Sequence, residues 1–382
     1  MSQACLELAQ APYDEGPARR ALAASRLRLR ALLPADSPLL IETHKAESFE
    51  LLMQAHMAAE PLAWLLADHL ATLRSMELDR QAMLLGSDDG RLRLRALARD
   101  CEVLTWEADF KFLYSDKRQL FHIGFRVAEQ QLDEGFFDLL ASESRLTSLL
   151  AIAKGDVPVR HWSALGRPFY AQGTAAGLRS WSGSMFEYLM PGLVLDEPQG
   201  SALREACEAA VQEQIDFGAL HGTPWGVSES AYAGSDHTLA YQYAPQGVPR
   251  LALRRTPPDE LVIAPYATAM AAPLAPQRAL QNLQRLESLG ARGRYGFIEA
   301  LDFTPSRRTG AAAFMPVSTF MSHHQGMSIV ALANLLLGGV AQRWGMADAH
   351  LQAVASLLHE SAPREVSRLA APDPGPPPLA AT

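Results

Sequence analysis

The sequence has little that would commit it to a metal, a nucleotide or a membrane. Its three cysteines, Cys5, Cys101 and Cys207, are too few and too widely spaced for a disulfide framework or a zinc site. They read as incidental thiols of a reducing compartment. No apolar run reaches the roughly 18 residues of a membrane helix. The start, Met1-Ser2-Gln3-Ala4-Cys5-Leu6-Glu7, lacks the basic head and apolar core of a secretion signal. The chain as written is therefore expected to be soluble and cytoplasmic. No basic run exists and the net charge is −8, so nucleic acid is not an expected partner. GxGxxG, the phosphate loop, HExxH and the GxSxG elbow are all missing. Nucleotide chemistry, zinc-peptidase chemistry and a nucleophilic serine have no support, and no cofactor or metal is called for.

What is present is a series of carboxylates set among aromatics, glycines and small polar residues. They are Phe136-Phe137-Asp138 through Glu143-Ser144-Arg145, Trp181-Ser182-Gly183-Ser184-Met185-Phe186-Glu187-Tyr188, Trp225-Gly226-Val227-Ser228-Glu229-Ser230-Ala231-Tyr232, and Tyr295-Gly296-Phe297-Ile298-Glu299-Ala300-Leu301-Asp302. An ionised Glu beside large apolar rings is costly unless it is hydrogen-bonded or at work. Aromatic faces stack on the C–H faces of sugars, and glycosidic bond cleavage needs two carboxylates around one bond. The pattern points to a carbohydrate-active site.

The chain has 382 residues, 48% of them hydrophobic and 20% charged, enough for one large or two ordinary globular domains. Residues 1–37 read as a poorly ordered lead-in ending in Leu33-Pro34-Ala35-Asp36-Ser37-Pro38, and 38–100 as an N-terminal helical segment. Leu40 to Leu85 carries helical spacing, and Ser87-Asp88-Asp89-Gly90 reads as a break. Residues 101–365 form the main domain, with a strand near Leu120–Val127. Helices are expected near 136–154, 158–165, 182–193, 199–219, 260–271, 276–289, 317–337 and 347–359. Residues 366–382 are a Pro-rich disordered tail. The expected fold is all-α, with paired helices closing into a toroid and with short β excursions. An open helical bundle satisfies the same periodicity.

Glu229 follows a loop signal and sits among small residues, as a substrate-facing acid would; an N-cap or surface role is the plainer alternative. Glu143 falls in the expected helix 136–154, five residues after Asp138, where an acid either pairs or functions. Glu187 and the Glu299/Asp302 pair divide between substrate contact and structural hydrogen bonds or salt bridges. His323-His324-Gln325 is tempting as a metal site, but adjacent histidines diverge on a helix. Contact with sugar hydroxyls or with a catalytic acid suits them better; a satisfied core histidine is the alternative. The rings Trp181, Tyr188, Trp225, Tyr232, Tyr241 and Tyr295 are the candidate sugar platforms.

These same stretches, with Phe112-Leu113-Tyr114, Ala151 to Pro158, Tyr241-Gln242-Tyr243, Ala264-Pro265-Tyr266-Ala267-Thr268 and His323 to Ser328, resemble the glycoamylase-like middle domain of bacterial cyclic β-1,2-glucan synthases. The resemblance covers roughly residues 38–365. It implies an (α/α)6 toroid acting on linear β-1,2-glucan and cyclising it by intramolecular transglycosylation. By that resemblance Glu143 is the acid/base and Glu229 the nucleophile. Asp138, Glu187, Glu299, His323, His324, Gln325 and the rings above would bind substrate. It also implies, in a full-length synthase at the cytoplasmic membrane, a membrane glycosyltransferase and a phosphorylase-like region as partners. An inverting endo-β-1,2-glucanase and a non-catalytic glucan-binding module remain alternatives. The chain departs from the family at Gln246-Gly247, where an aromatic usually precedes the glycine, and at Leu251-Ala252-Leu253-Arg254-Arg255-Thr256.

Overall fold

The computed structural model describes residues 87–172, 175–238, 240–257, 259–293 and 295–363. The expected lead-in, the helical stretches between Leu40 and Leu85 and the Pro-rich tail lie outside them. The chain divides into two compact units, Met1–Glu107 and Ala108–Thr382. The described part of the first is one helix, α1 (Ser87–Glu107). The break expected at Ser87-Asp88-Asp89-Gly90 is instead its first turn. Ser and Asp disrupt helix interiors but are favoured at helix starts.

The second unit opens with short antiparallel pieces: β1 (Tyr114–Ser115), β2 (Leu120–His122), β3 (Phe125–Arg126), β4 (Gln131–Leu132) and β5 (Phe136–Phe137). The single strand expected over Leu120–Val127 is thus two, and they lie in different sheets. Helices α2 (Arg145–Lys154) and α3 (Arg160–Ala164) follow, then the hairpin β6 (Phe169–Gln172) and β7 (Ala175–Leu178). Next come α4 (Met185–Leu189) and α5 (Ala202–His221), the hairpin β8 (Ser230–Ser235) and β9 (Tyr241–Ala244), and β10 (Val262–Ile263). The last part is α6 (Pro265–Ala271), α7 (Pro276–Ser288), β11 (Arg292–Gly293), β12 (Gly296–Phe297), β13 (Ala300–Asp302), β14 (Met315–Val317), α8 (Ser322–Leu336), α9 (Val340–Gly345) and α10 (Ala349–Val354).

The helix ends follow from their sequences. Ser201 caps α5 by accepting from Arg204 N, and Gly222 in the left-handed conformation closes it. Ser184 and Glu187 form a reciprocal capping box on α4. Pro265 and Pro276 occupy first-turn positions of α6 and α7, where no N–H is missed. The core joins α2, α4, α5, α6 and α7 through Leu149, Ile152, Met185, Tyr188, Cys207, Ala210, Met270 and Leu286. Alanines on α5 and α6 let backbones approach closely. A small second core, Ala231, Val262, Ala300 and Val317, binds β8 to the sheet β10-β13-β14. Sheets hold two or three strands each, so helices carry the core and strands position the loops. Among the described residues no helix is long and apolar enough to cross a membrane.

Gln246-Gly247 has a structural reason. Gly247 packs directly on the backbone of the loop before α4. A Cβ there would lie 1.9 Å from Ser182 O and 2.6 Å from the Gly183 carbonyl carbon. The amide of buried Gln246 lies 3.2 Å from both Ser228 O and Ser230 Oγ, on either side of Glu229. The second departure, Leu251 to Arg254, runs beside Ser180 and Trp181, with Arg254 N donating to Trp181 O at 3.0 Å.

Candidate active site

Glu229 ends a loop clamped from two helices. On α7, Asn282 accepts from Trp225 N at 3.1 Å and donates to Trp225 O at 2.7 Å. On α5, Gln214 does the same for Val227, both bonds at 2.7 Å. The Tyr266 hydroxyl of α6 then donates to the Glu229 backbone carbonyl at 2.7 Å. With its backbone fixed on both sides, the half-buried Glu229 side chain has a defined direction.

Glu143 lies in the turn before α2, not inside a helix as its apolar surroundings suggest. Ser142 Oγ donates to its Oε2 at 3.1 Å. Two residues on, Arg145 enters the core and fixes the turn. Its guanidinium donates to Glu197 at 2.7 Å, to Ser142 O at 3.0 Å, to Glu187 O at 2.8 Å and to Tyr188 O at 2.6 Å.

The carboxylates feel one another. Burial pushes the Glu143 carboxyl up, and the charges of Glu187 and then Glu229 push it the same way. Burial also raises Glu229; a hydrogen bond from the Tyr243 hydroxyl opposes this, the charge of Glu187 adds to it, and His324 relieves it. Glu187 itself is fully engaged. It accepts from Ser180 Oγ at 2.8 Å, from Ser182 N and Oγ at 3.0 and 2.5 Å, and from Ser184 N and Oγ at 3.0 and 3.1 Å. Its side chain is thereby held in one position.

Both raised values have a stability consequence. The folded chain keeps protons on Glu143 and Glu229 to higher pH than the unfolded chain does. Stability therefore falls as pH rises from the ordinary carboxylate range through the raised folded values. Glu143→Gln removes its share, so its Tm at pH 7 is expected to exceed that of the wild type, with the gap closing near about pH 4. Thermal scans of both proteins across pH check this; a Tm at or below wild type at pH 7 contradicts it.

The remaining sequence-derived candidates separate into groups. Glu299 and His324 are buried together: His324 Nδ1 lies 2.9 and 3.0 Å from the two Glu299 oxygens, and Ala231 N donates to Glu299 at 3.2 Å. Glu299 precedes strand β13 and is not on a helical face with Asp302. Asp302 is buried and paired with Arg307 at 2.6 Å, the structural salt bridge its neighbours suggested. His323 is exposed, with its ring 4.0 Å from that of His324. Gln325 is tied to Phe297 O at 3.2 Å. Asp138 has an exposed side chain, and its carbonyl accepts from Gly166 N at 2.6 Å. Among the described residues no group of three potential ligands is arranged to hold a metal ion.

Two expected sugar platforms are core residues instead. Tyr188, 1% exposed, donates to Leu178 O at 2.8 Å, and Trp225 is 7% exposed under α7. Rings beside a glutamate also arise wherever a loop plugs a core, and the sequence does not separate the two cases. Tyr232 is half-buried beneath the Arg307 guanidinium, 4.7 Å from its ring centre. The exposed rings are Trp181 at 61% and Tyr295 at 67%, with Tyr241 and Tyr243 partly exposed. Trp181 lies between two of the serines that hold Glu187, Ser180 and Ser182, so Trp181→Ala is expected to weaken β-1,2-gluco-oligosaccharide binding roughly tenfold without a change in Tm. Calorimetric titration checks it, and unchanged affinity removes Trp181 from any subsite. A residue outside the sequence-derived candidates that approaches the His324–Glu299 pair is Tyr243, whose hydroxyl lies 3.4 Å from His324 Nε2. The two-residue period of a strand puts it on the same face as Tyr241, which was the available signal.

The chain belongs to the glycoamylase family, whose model matches residues 136–347. That span includes Glu143, Glu187, Glu229, Glu299 and His324. The cyclic beta-(1,2)-glucan synthase NdvB of Rhizobium meliloti (strain 1021) is 46% identical over 306 residues, 80% of this chain and 10% of that protein. The chain thus spans about a tenth of the length of that relative. Among solved structures, the endo-beta-1,2-glucanase of Chitinophaga pinensis, in complex with sophorotriose and glucose, superposes with a TM-score of 0.52 at 17% identity, covering 71% of this chain and 66% of that one. The beta-1,2-glucanase of Parabacteroides distasonis gives 0.50 at 16% identity over 69% and 41%. At these identities the likeness is one of fold.

Proposed function

We propose that this chain is a carbohydrate-active enzyme domain that acts on linear β-1,2-glucan and cyclises it by intramolecular transglycosylation. The observation that carries the reading is the pair of half-buried carboxylates, Glu143 and Glu229, each held in place on a separate segment, with the charge of Glu229 adding to the burial that raises Glu143. The identity to a cyclic glucan synthase supports the substrate and the reaction.

Protonated Glu143 gives its proton to the glycosidic oxygen while a Glu229 oxygen attacks the anomeric carbon. The reducing-end piece leaves, and the remaining chain is an ester of Glu229. Glu143, now a carboxylate, takes the proton from a hydroxyl at the chain's own non-reducing end. That oxygen displaces Glu229 and closes the ring. One glycosidic bond breaks and one forms, with no net water. Burial, with the charge of Glu187 beside it, raises the Glu143 carboxyl toward its role as acid, and Trp181, Tyr241, Tyr295, His323 and the Leu251–Arg254 segment line sugar subsites.

In this reading 101–365 is the catalytic domain and its helices belong to an (α/α)6 toroid. A membrane glycosyltransferase and a phosphorylase-like region of the same synthase are its partners. Incubation with linear β-1,2-glucan, followed by mass analysis, tests it. Products lighter than a linear chain by one water support cyclisation. Shorter linear chains alone indicate a glucanase, and unchanged substrate indicates a binding module.

A further inference from the structure

The first turn of α6 holds both ends of the loop that carries Glu229. Thr268 Oγ1 donates to Trp225 O at 3.2 Å, and the Tyr266 hydroxyl donates to Glu229 O at 2.7 Å. A carbonyl oxygen only accepts, so the single Tyr266 hydroxyl proton is committed to Glu229. The Ser228 hydroxyl, 2.8 Å away, then donates to the Tyr266 oxygen. Ser228 Oγ itself accepts from Phe186 N, at the start of α4, at 3.0 Å. Counting donors thus gives the whole row one direction: Phe186 N–H to Ser228, Ser228 to Tyr266, and Tyr266 to the Glu229 carbonyl. Ser228 is 0% and Tyr266 4% exposed, so solvent has little access to replace these bonds.

The ring of Tyr266 has a second task. It stacks on the His324 imidazole with centroids 3.7 Å apart and planes 8° from parallel. His324 Nδ1 lies 2.9 Å from Glu299, whose carboxylate accepts from Ala231 N at 3.2 Å. Tyr266 therefore reaches the chain at Glu229 directly and at Ala231 through two packed side chains. We propose that Tyr266 is a positioning residue for Glu229. Its hydroxyl fixes the peptide plane that follows Glu229, and its ring holds the His324–Glu299 support two residues further on. This rests on the reading of Glu229 as nucleophile. A carboxylate that attacks along one line depends on a backbone held to well within about 1 Å. Tyr266 is buried and acts through the loop, not on the sugar.

Tyr266→Phe separates the two tasks, because it keeps the ring on His324 and removes only the hydroxyl. In the full chain its kcat on linear β-1,2-glucan is expected to fall roughly 10- to 100-fold with KM within about twofold, the pattern of a misplaced reacting group. Ser228→Ala leaves the Tyr266 proton on Glu229 O and is expected to cost less than about fivefold, the size of one ordinary hydrogen bond. Because Ser228 acts through Tyr266, the double variant should lose no more than Tyr266→Phe alone. Thermal unfolding of each variant above the assay temperature separates lost turnover from lost fold. A kcat in Tyr266→Phe within about twofold of wild type, or a double variant whose loss is the product of the two single losses, overturns the proposal. A second readout needs no substrate. Crystal structures should show the Glu229 carboxyl in one position in the wild type and displaced in Tyr266→Phe, with the ring still on His324. An unmoved carboxyl overturns the proposal whether or not the wild type turns glucan over. A wild type inert toward glucan sinks the reading of Glu229 as nucleophile, and the position of the carboxyl then decides the role of Tyr266 by itself.

Discussion

Glu229→Gln is expected to lose turnover of linear β-1,2-glucan by roughly 10⁴-fold, the scale on which removing a nucleophile acts. The amide keeps the shape and can still meet Tyr243, but it does not attack carbon. Binding should therefore survive within a few-fold. Product mass analysis gives the first quantity and calorimetry with the same glucan the second. Turnover within tenfold of wild type would move the nucleophile elsewhere. Glu187 is a poor substitute, because the serines at 180, 182 and 184 already occupy its lone pairs.

Arg145→Met is expected to cost about 3–5 kcal/mol of stability, the usual result of stranding one half of a buried ion pair. Arg145 is 1% exposed, and its loss leaves Glu197 buried without its cation. The carbonyls of Ser142, Glu187 and Tyr188 lose their donor at the same time. Thermal unfolding should show a drop of about 10 °C for a unit of this size. Adding Glu197→Leu should return part of it, because no lone charge then remains. A single variant within about 1 kcal/mol of wild type would mean that the cluster is hydrated and replaceable. The same change should loosen Glu143, whose turn Arg145 anchors through Ser142.

Much of this is visible in the sequence because the residues concerned sit in local patterns. The capped helices α5 and α7 declare themselves through Ser201, Gly222 and Pro276. The carboxylates stand out because acids beside rings are rare without cause. What the sequence hides depends on distant partners. Trp225 looks like a sugar platform until Asn282, far along the chain, pins it into the core. Glu143 looks helical because the residues around it are apolar, yet the turn is set by Arg145 reaching Glu187 O and Glu197. Glu299 reads as helical beside Asp302, but pairing of β13 with β10 and β14 makes the segment extended. Tyr243 comes near His324 because the β8–β9 hairpin pairs it with Ala231, two residues after Glu229.

Gly247 carries a last consequence. Its contact with Ser182 and Gly183 joins the loop that holds the Glu187 side chain to the segment after β9, the strand paired with the one that follows Glu229. In a saturation library this position should tolerate glycine alone, while the neighbouring Gln246 admits other side chains able to satisfy Ser228 and Ser230. The spacing between the loop that holds the Glu187 side chain and the segment that carries Gln246 is kept by a residue with no side chain to vary.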